Sequence, residues 1–260
     1  MPPRKALVVV SFGTSLPRAR QAIACLEERL CREMPDRTFV RAFTSSHILR
    51  KIEREEGIRI PTPEQALERL AREGYTDVLC QPLHILPGYE YEKMLRQMQP
   101  FRDAFPCLRA GLPLLSGPQD YEDCCRLIAG KAAGLGEDEA LVFMGHGTGH
   151  FADAAYSHLL TLLHYRDMER VCMGTVDGFP HLDAVRKALR RQKIRRVRLL
   201  PFMIVAGDHA QNDMAGPGPD SWKSVLESEG YTVHPVLEGL GENPAIGDIF
   251  ARHLQQAAAT

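Results

Sequence analysis

Short apolar runs bounded by turn residues recur along the chain and alternate with segments of helical periodicity. The runs fall at 6–10, 38–42, 78–82, 110–115, 140–144, 171–176, 197–203 and 232–237. Continuous apolar runs of this length suit strands covered on both faces, as in a parallel sheet. Between them, the segment 63–73 places Ala66, Leu67, Leu70 and Ala71 on one stripe, with Glu64, Glu68, Arg69 and Arg72 away from it. That spacing predicts an amphipathic helix, and Gly74 supplies its stop. Near the end, Asn243 at the N-cap and Pro244 at the first helical position predict a C-terminal helix. Strands alternating with helices give the fold class α/β.

The pattern is used twice. Residues 6–15 (ALVVVSFGTS) align with 140–149 (ALVFMGHGTG), matching Ala6 with Ala140, Gly13 with Gly147 and Thr14 with Thr148. Residues 78–90 (VLCQPLHILPGYE) align with 197–209 (VRLLPFMIVAGDH), matching Pro82 with Pro201, Gly88 with Gly207 and Glu90 with His209. The order of elements is kept, so the chain reads as two similar domains, each a parallel sheet flanked by helices, with a cleft between them. The expected division is 1–134, 135–242, and a C-terminal helix over 243–260 that packs back on the N-terminal domain. Ligands of open parallel sheets bind beyond the carboxyl ends of the strands, and both repeated motifs fall there.

Composition narrows the function classes. A chain of 260 residues with 44% hydrophobic residues can bury a substantial core. Its net charge of -1 provides no field for a polyanion. The densest basic cluster, Arg190, Arg191, Lys193, Arg195 and Arg196, reads as a solvated helix end before the strand at Val197. Nucleic acid is therefore not an expected partner. The 7 cysteines are odd in number and form no CxxC pair, which suits a reducing compartment. The run 6–10 is too short for a signal-peptide core, and no stretch approaches the roughly 18 apolar residues of a membrane span. A cytoplasmic protein is expected, without membrane contact; a homo-oligomer is compatible with this composition.

The motif GHGTGH at 145–150 follows a strand and puts His146 on a glycine-flanked loop, where a ligand can approach the backbone. It is neither a Walker A loop nor a dinucleotide fingerprint. Glu90 and His209 occupy equivalent positions in the repeat, each two residues beyond a glycine. Two imidazoles and a carboxylate leave open positions on a divalent ion such as cobalt, nickel, iron or zinc, as metal transfer requires. Glu92 is the rival carboxylate, but on a helix starting near Tyr91 it points elsewhere. His84 either lines the cleft or packs in the fold. His150 pairs with His146 only in a helix, which the glycines disfavour. Asp208 and Asp213 flank His209 and either orient it or serve a turn. Ser11 lies in no GxSxG elbow, and Met144, Met203 and Met214 are assigned to packing.

Together, VVVSFGTS near the start, RAFTS from Arg41, LHILPGYEYEK from Leu83, VFMGHG from Val142, VAGDHAQNDM from Val205, DSWK from Asp220 and GLGENPAI from Gly239 carry a family likeness. The chain resembles the anaerobic sirohydrochlorin cobaltochelatases of the CbiK type, class II chelatases related to the ferrochelatase fold. The resemblance implies a bilobal α/β fold with a tetrapyrrole cleft and ATP-independent insertion of Co(II) into sirohydrochlorin on the early-cobalt route to cobalamin. It also implies metal ligation by two histidines and a glutamate, which the motifs place at His146, His209 and Glu90. No cofactor beyond the substrate metal is expected; the same donors accommodate Fe(II) or Ni(II). The partners are then sirohydrochlorin and the divalent ion. Loops carrying Ser11, Gly13, Thr14, Thr44, Ser45, His84, Gly147 and Thr148 are candidate substrate contacts through hydroxyls and backbone N–H groups. Pro87, Gly88 and Tyr89 depart from the more polar turn of some relatives. Two other readings compete: a sirohydrochlorin ferrochelatase making sirohaem, and a carrier that binds metal or tetrapyrrole without turnover.

Overall fold

A computed structural model describes residues 3–260. The chain divides into two compact units, Met1–Ser116 with Gly241–Thr260, and Gly117–Leu240. In chain order the first unit holds β1 (Lys5–Ser11), α1 (Pro17–Glu33), β2 (Thr38–Phe43), α2 (Ser46–Glu56), α3 (Pro63–Arg72), β3 (Asp77–Pro82), α4 (Tyr89–Met98) and β4 (Cys107–Ala110). The second holds α5 (Pro118–Ala132), β5 (Glu139–Gly145), α6 (Ala154–Tyr165), β6 (Val171–Thr175), α7 (Leu182–Arg191), β7 (Arg196–Phe202), α8 (Trp222–Ser228) and β8 (Thr232–Pro235). The chain ends in α9 (Pro244–Ala259), which belongs to the first unit.

Each unit carries one four-stranded, all-parallel sheet, in the order β2-β1-β3-β4 in the first and β6-β5-β7-β8 in the second. The two orders are the same once the second set is renumbered, as the internal repeat requires. The registers also correspond: Val10 lies beside Ala42 and Pro82, and Met144 lies beside Gly174 and Pro201. The central strands β1 and β5 are almost wholly buried. Helices α3 and α4 contribute Leu67, Leu70 and Met94 to one face of the first core. In the second core, Val185, Leu189, Trp222 and Leu226 cover Ala140, Val142 and Met144.

Three sequence expectations shift. The fourth strand is β4 at Cys107–Ala110 instead of 110–115, because Pro113 has no N–H to give a ladder and Leu114 and Leu115 donate to the loop carbonyls of His84 and Ile85. The helix after β3 starts at Tyr89, earlier than Tyr91, with Gly88 at its N-cap. Glu90 therefore sits in a helix's first turn, where its charge meets the positive end of the helix dipole. Helix α5, placed ahead of a joint near 134–138, is grouped with the second unit, where it packs on α6. The return of α9 is anchored on α1, β3 and β4, with Arg109 Nη1 donating to Ala258 O at 2.6 Å and Gly247 packed on Leu26 and Arg29.

At the amino end of the first sheet, Asp77 is held by both guanidinium groups of its neighbourhood. Arg37 donates to its two carboxylate oxygens at 3.0 and 2.8 Å, and Arg109 Nη2 donates to Oδ1 at 3.1 Å. Burial alone raises the Asp77 carboxyl, but the bonds from Arg37 and Arg109 outweigh it and hold the group below the usual aspartate range. A depressed carboxylate contributes stability above the unfolded value of about 3.9 and loses that contribution as pH falls through the lower folded value. Asp77→Asn is expected to destabilise the protein by about 3 kcal/mol at neutral pH, since it leaves two part-buried arginines short of a partner. Urea denaturation across pH checks this: the gap between wild type and variant narrows as pH drops below about 4, and a pH-independent gap contradicts it.

Among the described residues, no helix is long and apolar enough to cross a membrane. All seven cysteines are free thiols, and burial pushes those of Cys80 and Cys172 up to about 12.

Candidate functional site

In the second unit, β5 ends at Gly145 and the chain turns at once through His146. The turn is possible because Gly147 adopts φ +79, a left-handed conformation that side chains resist. His146 O accepts from the N–H groups of Val176 and Asp177 at 3.1 and 2.8 Å, which straps this loop to the segment after β6. Asp153 makes a second strap: its Oδ1 accepts from Thr148 N–H at 3.0 Å and its Oδ2 from Phe179 N–H at 2.7 Å. Beneath the turn lies Tyr156 of α6, whose ring packs against Gly145 and whose hydroxyl meets the backbone of His146 and Gly147. Burial raises its phenol, which therefore stays protonated. Neither Asp153 nor Tyr156 stood out in the sequence, since the fold alone sets Phe179 beside the first and the His146 turn over the second.

His209 lies beyond β7, at the head of a helical turn that continues as a π-helix over Ala210–Met214. Strands β5 and β7 are paired neighbours, so their following loops share one end of the sheet. The His146 and His209 rings stand 4.6 Å apart between centroids and 85° to one another. His146 Nδ1 lies 3.0 Å from Gly147 O, and His209 Nδ1 lies 2.5 Å from Asp213 Oδ2. A carbonyl and a carboxylate only accept, so each ring commits its Nδ1 proton, and in a neutral ring that leaves the lone pair on Nε2. The side chains are 50% and 39% exposed, open to an incoming ion. Of the two aspartates flagged beside His209, Asp213 orients the ring, whereas Asp208 accepts from Asn212 Nδ2. Asp177, which the sequence reading did not weigh, brings Oδ2 to 3.8 Å from His146 Nδ1, near enough for charge but too far for a hydrogen bond.

His150 is accounted for by the fold. Its Nδ1 accepts from Ala152 N–H at 3.1 Å and its ring lies against Phe151. Thr148 Oγ1 accepts from His150 N–H, Thr14 Oγ1 from Leu16 N–H, and Ser45 Oγ caps α2 by accepting from Ile48 N–H. These three hydroxyls thus shape turns. Gly13 repeats the conformation of Gly147, with φ +93, and packs against the Phe43 ring.

In the first unit, Ser11 ends β1, Thr44 follows β2, and His84 and Glu90 follow β3. Ser11 Oγ, Thr44 Oγ1, both ring nitrogens of His84 and Glu90 Oε2 are buried atoms without a hydrogen-bond partner among the described residues. Burial, with Lys93 adding to it, lowers His84 to about 4, so its imidazole is neutral. Lys93 Nζ stands 3.8 Å from Glu90 Oε2, while Glu92 faces Arg96 instead. Among the described residues, no group of three or more His, Cys, Asp or Glu side chains is gathered in metal-holding geometry. The histidine pair is what the structure brings together.

The model of the family described as cobalt chelatase (CbiK) matches residues 5–259. The chain belongs to that family. It is 46% identical over 259 residues to the sirohydrochlorin cobaltochelatase of Salmonella typhimurium, covering 98% of this chain and 96% of the relative. It is 35% identical to the sirohydrochlorin cobaltochelatase CbiKC of Nitratidesulfovibrio vulgaris, covering 98% and 91%. Among solved structures, SirB from Bacillus subtilis with Fe3+ superposes with a TM-score of 0.65 at 16% identity, covering 98% of this chain and 96% of that one. At that identity the likeness speaks for the chelatase fold: two parallel sheets flanked by helices.

Proposed function

We propose that this member of the cobalt chelatase family inserts Co(II) into sirohydrochlorin without ATP, in the early-cobalt route to cobalamin. The observation that carries the reading is the paired His146 and His209, each with Nδ1 engaged and Nε2 free. With ring centroids 4.6 Å apart, both imidazoles stand close to where one divalent ion would sit at metal–nitrogen bonds of about 2.0–2.1 Å. Two imidazoles and a carboxylate, three ligands from the protein, leave coordination positions for the incoming macrocycle.

Insertion exchanges protein ligands for four ring nitrogens and releases two pyrrole protons. As the ion leaves, the freed Nε2 lone pairs are bases placed beside those protons. The family likeness makes Glu90 the third ligand; Asp177, in the same unit as the histidines, offers a second carboxylate to offset the ion's charge. Gly147 and Thr148, in the strapped loop beside His146, and Ser11, Gly13, Thr14, Thr44, Ser45 and His84 of the first unit are the proposed substrate contacts.

An anaerobic visible-absorbance assay tests this with excess sirohydrochlorin and Co(II), an Fe(II) sample alongside and a control without protein. Product beyond one equivalent per chain is expected with Co(II). A rate equal to the control with both metals supports a carrier, and faster turnover with Fe(II) reassigns the metal. In the same assay Asp177→Asn is expected to fall about tenfold, within the range for groups behind a metal's ligands, and Glu90→Gln, as a ligand, by about a hundredfold or more, beyond that range. The reverse ranking moves the ligand role to Asp177.

A further inference from the structure

Helix α6 carries no Asp, Glu, Lys or Arg, although one of its faces is open to solvent. The exposed positions, counted from the turn that leads into the helix, are Phe151, Ala154, His158, Thr161 and Tyr165. Phe151 is 84% exposed and Tyr165 85%, more than any other large hydrophobic residue among those described. Steps of three and four residues put all five on one stripe, the seam spacing of helices that pack along their length. A surface helix ordinarily sets charge toward water, so an uncharged seam with two bare aromatic rings marks a contact face. The Thr161 hydroxyl spends its proton inside the helix, donating to Ser157 O at 2.8 Å. Next to the seam, Tyr121 of α5 meets the His158 ring edge-on with centroids 4.6 Å apart, and the Glu122–Arg166 and Asp123–Arg126 ion pairs add a charged margin. An apolar centre within a charged rim is the anatomy of a protein interface.

The order of side chains along the seam selects the occupant. Within α6 it runs small, large, small, large: Ala154, His158, Thr161, Tyr165. Laid antiparallel on a second α6 over its full length, the seam sets Tyr165 against Ala154 of the other copy and His158 against Thr161, so each large side chain meets a small one. The midpoint of the helix is then a two-fold axis, and the positive end of each helix lies beside the negative end of the other. Parallel pairing instead stacks like on like, His158 on His158 and Ala154 on Ala154, which crowds one layer and leaves the next loose. The antiparallel register also carries Phe151 onto the turn that follows α6 in the other copy. At the area typical of a buried aromatic, Phe151 and Tyr165 from both copies contribute about 600–1,000 Å², and the intervening layers carry the contact toward the roughly 1,200 Å² at which specific interfaces begin. We propose that the exposed face of α6 is a two-fold interface and that its partner is a second copy of this chain.

Sedimentation equilibrium of the full chain at micromolar concentrations is expected to give a dimer. Ala154→Glu and Tyr165→Lys are each expected to raise the dimer dissociation constant about a hundredfold or more, since each buries two unpaired charges per dimer. Both are expected to keep a native far-UV circular dichroism, because the positions are exposed and each new charge suits its end of the helix dipole. Mixed in equal amounts, the two variants are expected to recover the dimer: the antiparallel register sets one new charge against the other and leaves the second Tyr165–Ala154 contact intact. Thr161→Arg, near the middle of the seam, is expected to give the same monomer and repeats the test if an end variant misfolds. A tetramer that the variants reduce to dimers retains this contact as one of two. A monomeric wild type overturns the proposal, as does a trimer, which a two-fold contact cannot close, or an assembly that the variants leave unchanged. A mixture of the two end variants that stays monomeric overturns the antiparallel register.

Discussion

Replacing His209 or His146 by alanine is expected to lower cobalt insertion more than about a hundredfold while leaving the far-UV circular dichroism native. Each ring's recorded hydrogen bond is local, to Gly147 O in one case and Asp213 in the other. Both side chains are substantially exposed, so truncation opens no cavity in either core. What is lost is one of two adjacent imidazoles, and with it one of the proposed ligands of the ion. Asp213→Asn probes the same pair more gently. Its carboxylate fixes the His209 tautomer, and losing such an outer partner costs about ten- to a hundredfold in metal affinity. Titration with Co(II), read by its visible absorption, separates metal binding from insertion. Full insertion by either alanine variant would sink the assignment.

The second large effect is expected at a glycine. A Cβ on Gly147 would stand 2.3 Å from Gly178 N and 2.8 Å from its Cα, and the residue holds φ +79. The obstruction is backbone on the opposing strap, which has no rotamer to change. Left-handed backbone costs a side-chain-bearing residue about 1–2 kcal/mol before any clash, so Gly147→Ala is expected to lose about 3 kcal/mol of stability. It also displaces His146, so insertion falls further than the stability loss alone explains. Gly149→Ala, in the same motif, has nothing within 4 Å of its Cβ, and is expected to change stability by less than about 0.5 kcal/mol. Melting temperatures and insertion rates of the two variants check the contrast; equal behaviour contradicts it.

The repeat explains why so much of the architecture was legible. Glycines at 13 and 147 hold left-handed turns after equivalent strands, and the two sheets share one strand order. Local signals also held where local physics dominates: the apolar stripe at 63–73 becomes α3, and Asn243 caps α9 through Ala245 N–H. The family motifs likewise pointed to His146 and His209, which the fold brings side by side.

What the sequence by itself determined, then, is periodic and short-range: α/β class, strand and helix succession, the duplicated turns, and the residue types able to hold a divalent ion. Only the tertiary structure decided that β4 stops before Pro113, that α5 counts with the second unit, and that Asp213 orients His209 while Asp208 does not. It alone singled out Asp153 and Tyr156 beneath the His146 turn and Lys93 beside Glu90. The reason is physical. Periodicity and capping are settled within a turn or two of chain, whereas a hydrogen bond between loops or a buried group's missing partner depends on which strands become neighbours, and that is fixed by packing across the sheet.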